Sequence, residues 1–176
     1  MRTTSQSATT NRTATRRTST SKTASTSKKD AIKLLTEDHA KVKKLFREYE
    51  KLSKKEDEDG KEELAQQICK ELTIHAQLEE EIFYPAAREA IKDDDLLNEA
   101  LVEHSSAKDL ISKIKSMKIT DPMYDAVVTV LGEYVNHHVQ EEEEKMFPKV
   151  QKSKMDLEEV GSEMAGRKEE LMGSGE

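Results

Sequence analysis

Apolar residues return along this chain at steps of three and four, the spacing of one helix face. After Asp30, a plausible N-cap, Ile32, Leu35, His39, Val42, Phe46 and Tyr49 make the first stripe. "SKKEDEDG" reads as an exposed turn. A second helix is expected from about Lys61, with Leu64, Ile68, Leu72, His75, Glu79 and Ile82 or Phe83, until Pro85 ends or kinks it. "KDDD" offers caps for a third, carrying Leu97, Leu101, His104, Ala107, Ile111 and Ile114. Asp121-Pro122 reads as an N-cap with proline at the first helical position. The fourth stripe is Val127, Leu131, Val135, His138, Glu142 and Met146, interrupted at Pro148. Asp156 caps a short fifth helix with Leu157, Val160, Met164 and Leu171. Four helices of about 20 to 26 residues with short connections predict an all-α, antiparallel up-down four-helix bundle over residues 30–150. The fifth helix, within 151–176, is expected to pack across it.

The stripes carry ionisable groups where a core should be. "HAQLEEEIFYP" (75–85) and "HVQEEEEKMFP" (138–148) are two copies of one motif. A shift of 63 places His75 on His138, Gln77 on Gln140, Glu79 on Glu142, Glu80 on Glu143 and Pro85 on Pro148. His39 and His104 match as well, each followed at six and seven residues by an apolar pair, Leu45-Phe46 and Leu110-Ile111. Each half is therefore a helix hairpin with one His, then His-x-x-x-Glu. That is pseudo-two-fold symmetry rather than a solenoid.

Residues four apart share a helix face, so four inward faces bring together four histidines and two glutamates. Burying two carboxylates without partners is costly, and no Lys or Arg lies on these stripes to pair with them. A bound cation removes the cost. Two divalent cations balance it best, with both glutamates bridging and two histidines on each metal. Imidazole and carboxylate without thiolate, around an incompletely filled site, favour iron over structural zinc. The Glu-x-x-His spacing of ferritin-like di-iron bundles is absent.

The pieces "LLTEDHAKVKKLF", "HAQLEEEIFYP", "EHSSAKDLI" and "HHVQEEEEKMFP" resemble the hemerythrin-like HHE cation-binding domains over about residues 30 to 150. The resemblance implies a four-helix bundle with a carboxylate-bridged, non-haem di-iron centre. It makes His39, His75, Glu79, His104, His138 and Glu142 the ligands. It also implies binding or sensing of oxygen, nitric oxide, peroxide or iron, the partner being a small diatomic or peroxide ligand. Oxygen-carrying hemerythrins have His-x-x-x-His on the third helix, whereas here Lys108 stands four after His104; on the fourth helix Glu142 replaces a later aspartate. The chain thus resembles the symmetric four-histidine subgroup, which includes proteins that repair iron centres. Those usually add an N-terminal cysteine-bearing domain, and residues 1–29 hold no cysteine. The rivals are a di-iron enzyme that removes peroxide or repairs iron centres, and a metal-free helical interaction module.

Charged residues (37%) outnumber hydrophobic ones (34%), and there is no Trp, so the core rests on Leu, Ile, Val, Met and Ala. The net charge of -7 hides two parts. Residues 1–29 carry seven basic residues and no acid, leaving 22 basic against 36 acidic residues, or -14, in the rest. That Ser/Thr-rich segment has nothing to bury and is expected to be disordered. It reads first as a solubilising tail; weak nucleic-acid contact and a transit peptide are the alternatives. No apolar run approaches a membrane span, and the single Cys69 fits a reducing cytoplasm.

Around the six candidates, His137 aligns with Ile74 and is expected to be flanking packing or a ligand-orienting neighbour. Glu80, Glu81, Glu143 and Glu144 read as solvated. A carboxylate in such a place can also orient a ligand histidine, as can Asp38 and Glu103. Tyr134 and Cys69 read as core.

Overall fold

The computed structural model describes residue 1 and residues 30–55 and 58–173; the expectation for residues 2–29 lies outside the described residues. Helix α1 spans Ala31–Ser53 and α2 Glu58–Leu78. A π-helical turn, Glu79–Phe83, joins α2 to α3, Tyr84–Ile91. Then come α4, Asp94–Ser116, and α5, Tyr124–Glu141. A second π turn, Glu142–Met146, leads into α6, Phe147–Gln151, and α7 is Leu157–Gly173. Among the described residues no helix is long and apolar enough to cross a membrane.

Most caps are where the sequence puts them. Asp30 accepts from Lys33 N at 2.8 Å, Asp93 from Leu96 N, and Asp156 from Glu159 N at 3.0 Å. Asp121 differs. It accepts from Met123 N at 2.8 Å within a turn, and α5 starts only at Tyr124. Its short side chain closes a local loop before the helix begins. The second helix also starts earlier than expected, at Glu58, which shortens the turn after α1.

The prolines act differently from simple breakers. In an α-helix Pro85 would meet the carbonyl of Glu81 with a ring and no N–H. The chain widens instead: Tyr84 N bonds back five residues to Glu79 O, and Phe147 N does the same to Glu142 O. The helix survives as a π turn and runs on. Both bulges open on a glutamate of the repeated motif.

The core falls into two apolar clusters. One gathers Leu35, Leu78, Phe83, Leu97, Met146 and Phe147 among others, and the second Val42, Ile68, Leu72, Ile111, Leu131 and Val139. Helices α1 and α4 pass from the first cluster to the second, and α2 and α5 pass back. This alternation is the antiparallel up-down bundle. His39, His75, Glu79, His104, His138 and Glu142, all buried, form the layer between the clusters. Helix α7 packs on α1 and α2 through fully buried Met164.

Three side chains depart from the expected stripes. Leu101 is exposed, because α4 turns Ala100 inward between Leu97 and His104. Tyr134 is nearly half exposed, not core. Lys61 is buried, and its ammonium lies 3.1 Å from both oxygens of Asp125, which also accepts from Tyr49 and Ser53. At Gly132, α5 approaches α1 so closely that a Cβ would lie 3.2 Å from the Phe46 ring.

Burial alone would raise the Asp125 carboxyl, but Tyr49, Ser53 and Lys61 outweigh it and hold it below the usual carboxylate range. A depressed carboxyl stabilises the fold above its unfolded pKa, and that contribution fades as pH falls through the folded one. Asp125→Asn should therefore cost about 1–2 kcal/mol at pH 7, discounted because this side chain is partly solvated. The gap from the parent should close below about pH 4. Urea unfolding at the two pH values measures both; a gap independent of pH would contradict the ion-pair account.

Candidate metal centre

Every polar group in the central layer comes from a different turn of the repeat, and the bundle brings all six together. His75 Nε2 and His104 Nε2 lie 3.2 and 3.3 Å from Glu79 Oε2. His39 Nε2 and His138 Nε2 lie 3.2 and 3.5 Å from Glu142 Oε2. Each glutamate thus faces one histidine from each hairpin. The donors fall into two overlapping sets: His39, His75, Glu79 and Glu142; and Glu79, His104 and His138.

Three of the four outward ring nitrogens have a hydrogen-bond partner. Nδ1–H of His39 donates to Glu143 at 2.9 Å, that of His104 to Glu80 at 2.9 Å, and that of His138 to Glu103 at 2.8 Å. Asp38 stands 3.9 Å from His75 Nδ1, beyond hydrogen-bond reach. With Nδ1 protonated, each Nε2 presents a lone pair inward. The carboxylates run once around the bundle, α1 to α2, α2 to α4, α4 to α5 and α5 to α1. They are held from outside as well. Lys108 binds Glu80 at 2.6 and 2.7 Å, Lys43 stands 4.0 Å from Glu143, and Lys168 of α7 pairs with Asp38.

The inward atoms do not satisfy one another. His39 Nε2, both nitrogens of His75, both oxygens of Glu79 and Glu142 Oε2 are buried without a hydrogen-bond partner. Native interiors rarely leave such groups unpaired. His104 Nε2 also faces His138 Nε2 at 3.1 Å, lone pair against lone pair once both Nδ1 atoms are protonated. Cis donors on a cation about 2.1 Å away lie roughly 3.0–3.4 Å apart, close to the 3.1–3.5 Å seen here. The donor set fits cations.

Electrostatics point the same way. Burial, then the neighbouring Glu142, pushes the Glu79 carboxyl well above its usual range. Burial likewise lowers His75, and pushes His104 down to about 4 with help from His138. Burial would raise Glu142 too, but His138 and His39 outweigh it and hold its carboxyl below the usual carboxylate range. Without a cation the layer is frustrated.

Sequence reasoning missed Tyr84. Its hydroxyl donates to Glu142 Oε1 at 2.9 Å and lies 3.3 Å from His104 Nε2. The repeat places Phe147 there in the other half, stacked on His39 with ring centroids 5.8 Å apart. Only the comparison of the two copies, Tyr against Phe, could have flagged it. His137 is exposed rather than packed, near Glu103. Cys69 is buried in the apolar core. Glu80 and Glu143, expected to be solvated, are instead the acids that hold His104 and His39.

The sequence profile of the hemerythrin HHE cation-binding domain matches residues 30–150. The chain belongs to this family. A hemerythrin HHE cation-binding domain-containing protein from Mycobacterium kansasii has a similar crystal structure, with TM-score 0.68 and 28% identity. That likeness covers 83% of this chain and 89% of the other. A DNA nickase from Nostoc sp. is 36% identical over 110 residues, 62% of this chain. The match spans only 30% of that relative's length. Hemerythrin HHE membership supports a cation-binding domain, and the buried His/Glu layer is where this chain offers one.

Because Glu143 holds His39 while exposed Glu144 accepts from Gln140 at the surface, alanine at each should separate the two roles. Glu143→Ala should weaken cation binding about 10- to 100-fold. Glu144→Ala should leave it unchanged, and Glu142→Ala should abolish it. Metal content after dialysis against a graded chelator series measures this. Equal retention in the Glu143 and Glu144 variants would show the His39 contact to be incidental.

Proposed function

We propose that this hemerythrin HHE chain holds two iron ions, one on His39 and His75 and one on His104 and His138. Glu79 and Glu142 bridge them. The carrying observation is that one oxygen of each glutamate, Oε2, lies within 3.5 Å of a histidine from each hairpin, among buried donors that lack hydrogen-bond partners. Nitrogen and oxygen donors without thiolate, fewer than a full octahedral set, suit iron that keeps a position open.

The open side supports a small ligand. An apolar cavity of about 40 Å³ lies against the four histidines, lined by Val42, Leu72, Ala107, Ile111, Val135 and Val139. A water needs roughly 10–15 Å³ of such space, so a diatomic or peroxide fits. Lys108 and Tyr134 also line it. Lys108, where oxygen carriers have a further histidine, turns to Glu80 and leaves that coordination position open. When bound, the iron pair would supply electrons to or accept them from such a ligand. The protein's own part is to fix the imidazole tautomers, keep the centre dry and set its charge.

This supports a binder or sensor of oxygen, nitric oxide, peroxide or iron in a reducing cytoplasm. The open position also favours a second reading, slow turnover of peroxide. The metal-free interaction module accounts poorly for the unpartnered buried donors. Nicking belongs to the longer Nostoc relative and is not carried over, because the buried histidines and glutamates offer a DNA backbone no approach.

Anaerobic reconstitution should give two irons per chain, with optical changes on adding oxygen, nitric oxide or peroxide. Glu79→Ala should lose both irons together, whereas His39→Ala should lose mainly one. Iron should also raise the melting temperature, since it binds the native state alone. One iron per chain, or zinc displacing iron under reducing conditions, would overturn the di-iron reading; steady-state peroxide assays decide between binder and enzyme.

A further inference from the structure

The sequence around His138 contains the His-x-x-x-Glu spacing twice, one residue out of step: His138 with Glu142, and His137 with Glu141. The first pair points into the bundle. The second lies on the outside of α5, and Glu103 of α4 meets it there. His137 Nε2 is 3.6 Å from Glu103 Oε1 and 3.9 Å from Glu141 Oε1, with His137 largely exposed and both glutamates mostly shielded. One donor atom from each lies within 4.8 Å of the others. Three donors at this spacing can close on one small divalent cation and leave water in its remaining positions.

The buried layer uses Glu103 to hold His138 but does not use His137 or Glu141. The other hairpin has Ile74 and Leu78 at the matching positions, so the repeat does not dictate this cluster. It is also joined to the buried layer by a single carboxylate. Glu103 Oε2 accepts from His138 Nδ1 at 2.8 Å, while Glu103 Oε1 faces His137. The inner donors are all at least nine-tenths buried, so an incoming cation needs a first foothold outside.

We propose that Glu103, His137 and Glu141 form a surface site that captures a divalent cation and passes it to the buried centre. The role in loading rests on the di-iron reading; the site itself does not. Lys145 pairs with Glu141, and its half-exposed side chain can swing into solvent. The ammonium is then a competitor, and removing it should tighten the site.

The test uses the full chain and its His137→Ala and Glu141→Gln variants, neither of which alters the buried layer. Equilibrium dialysis with Zn2+ should show one more zinc per chain in the parent than in either variant, and Lys145→Ala should bind that zinc more tightly. Chelator-quenched time courses of anaerobic Fe2+ uptake should run several-fold slower in His137→Ala and reach the same final content. No zinc difference overturns the site. A zinc difference with equal uptake rates overturns the capture role. If the parent takes up no iron at all, the di-iron reading fails, and the zinc difference still reads the outer site.

Discussion

Two carboxylates buried at the centre of a helical bundle govern the rest of this molecule. Glu79 and Glu142 are almost inaccessible to solvent and, among the described residues, pair with histidines and with no Lys or Arg. Apolar packing above and below fixes the layer, since the two clusters enclose it on both sides. The helices cannot relieve the charge by splaying without exposing those clusters. A cation relieves it at no cost in packing. The apolar core thus builds the site, and the site in turn makes the fold sensitive to what it binds.

The histidines are held by a second tier of charge, and this tier follows the bundle rather than the chain. Each outer acid serves a ring on the next helix around: Glu80 of one hairpin holds His104 of the other, and Glu143 holds His39 in return. The hairpins are thereby cross-linked through the groups that orient the candidate ligands. Lys43 and Lys108, equivalent in the repeat, neutralise the acids from outside. Helix α7 joins this tier, because Lys168 reaches Asp38 and Arg167 holds Glu81. The C-terminal helix is therefore tied electrostatically to the central layer as well as packed on it.

The bundle and the six central residues were legible in the sequence, because a 3.6-residue period and an internal repeat report helix faces directly. What pairs across helices was not. Glu80 and Glu143 lie one step off the inner stripe, and the pattern alone reads them as solvated. Only the angular placement of the neighbouring helix shows that each reaches a ring nitrogen. Lys61 was hidden for the same reason, since its partners come from α1 and α5. Leu101 was misplaced because steps of three and four are both helical, and α4 uses Ala100. The π turns were announced only as disruption: Pro85 and Pro148 mark the spot, but whether a helix ends, kinks or widens depends on what holds it on either side. Here the buried glutamates, with the buried pairs Phe83-Tyr84 and Met146-Phe147 after them, hold both sides.

The pseudo-symmetry is also broken in a consistent direction. The candidate ligands and outer acids repeat in both halves, yet Tyr84 meets Phe147, and His137 meets Ile74. The Tyr84 hydroxyl binds Glu142 and lies beside His104, while Phe147 offers His39 only a flat apolar face. Tyr84 touches His104, and His137 meets Glu103, the acid that holds His138. The His39–His75 pair sits against Phe147 and beneath the Lys168–Asp38 contact of α7. Two cations held by equivalent donors would then have different neighbours, a hydroxyl beside one and an aromatic face beside the other. A duplicated hairpin supplies two matching positions, and a few substitutions outside the donor set make them unequal.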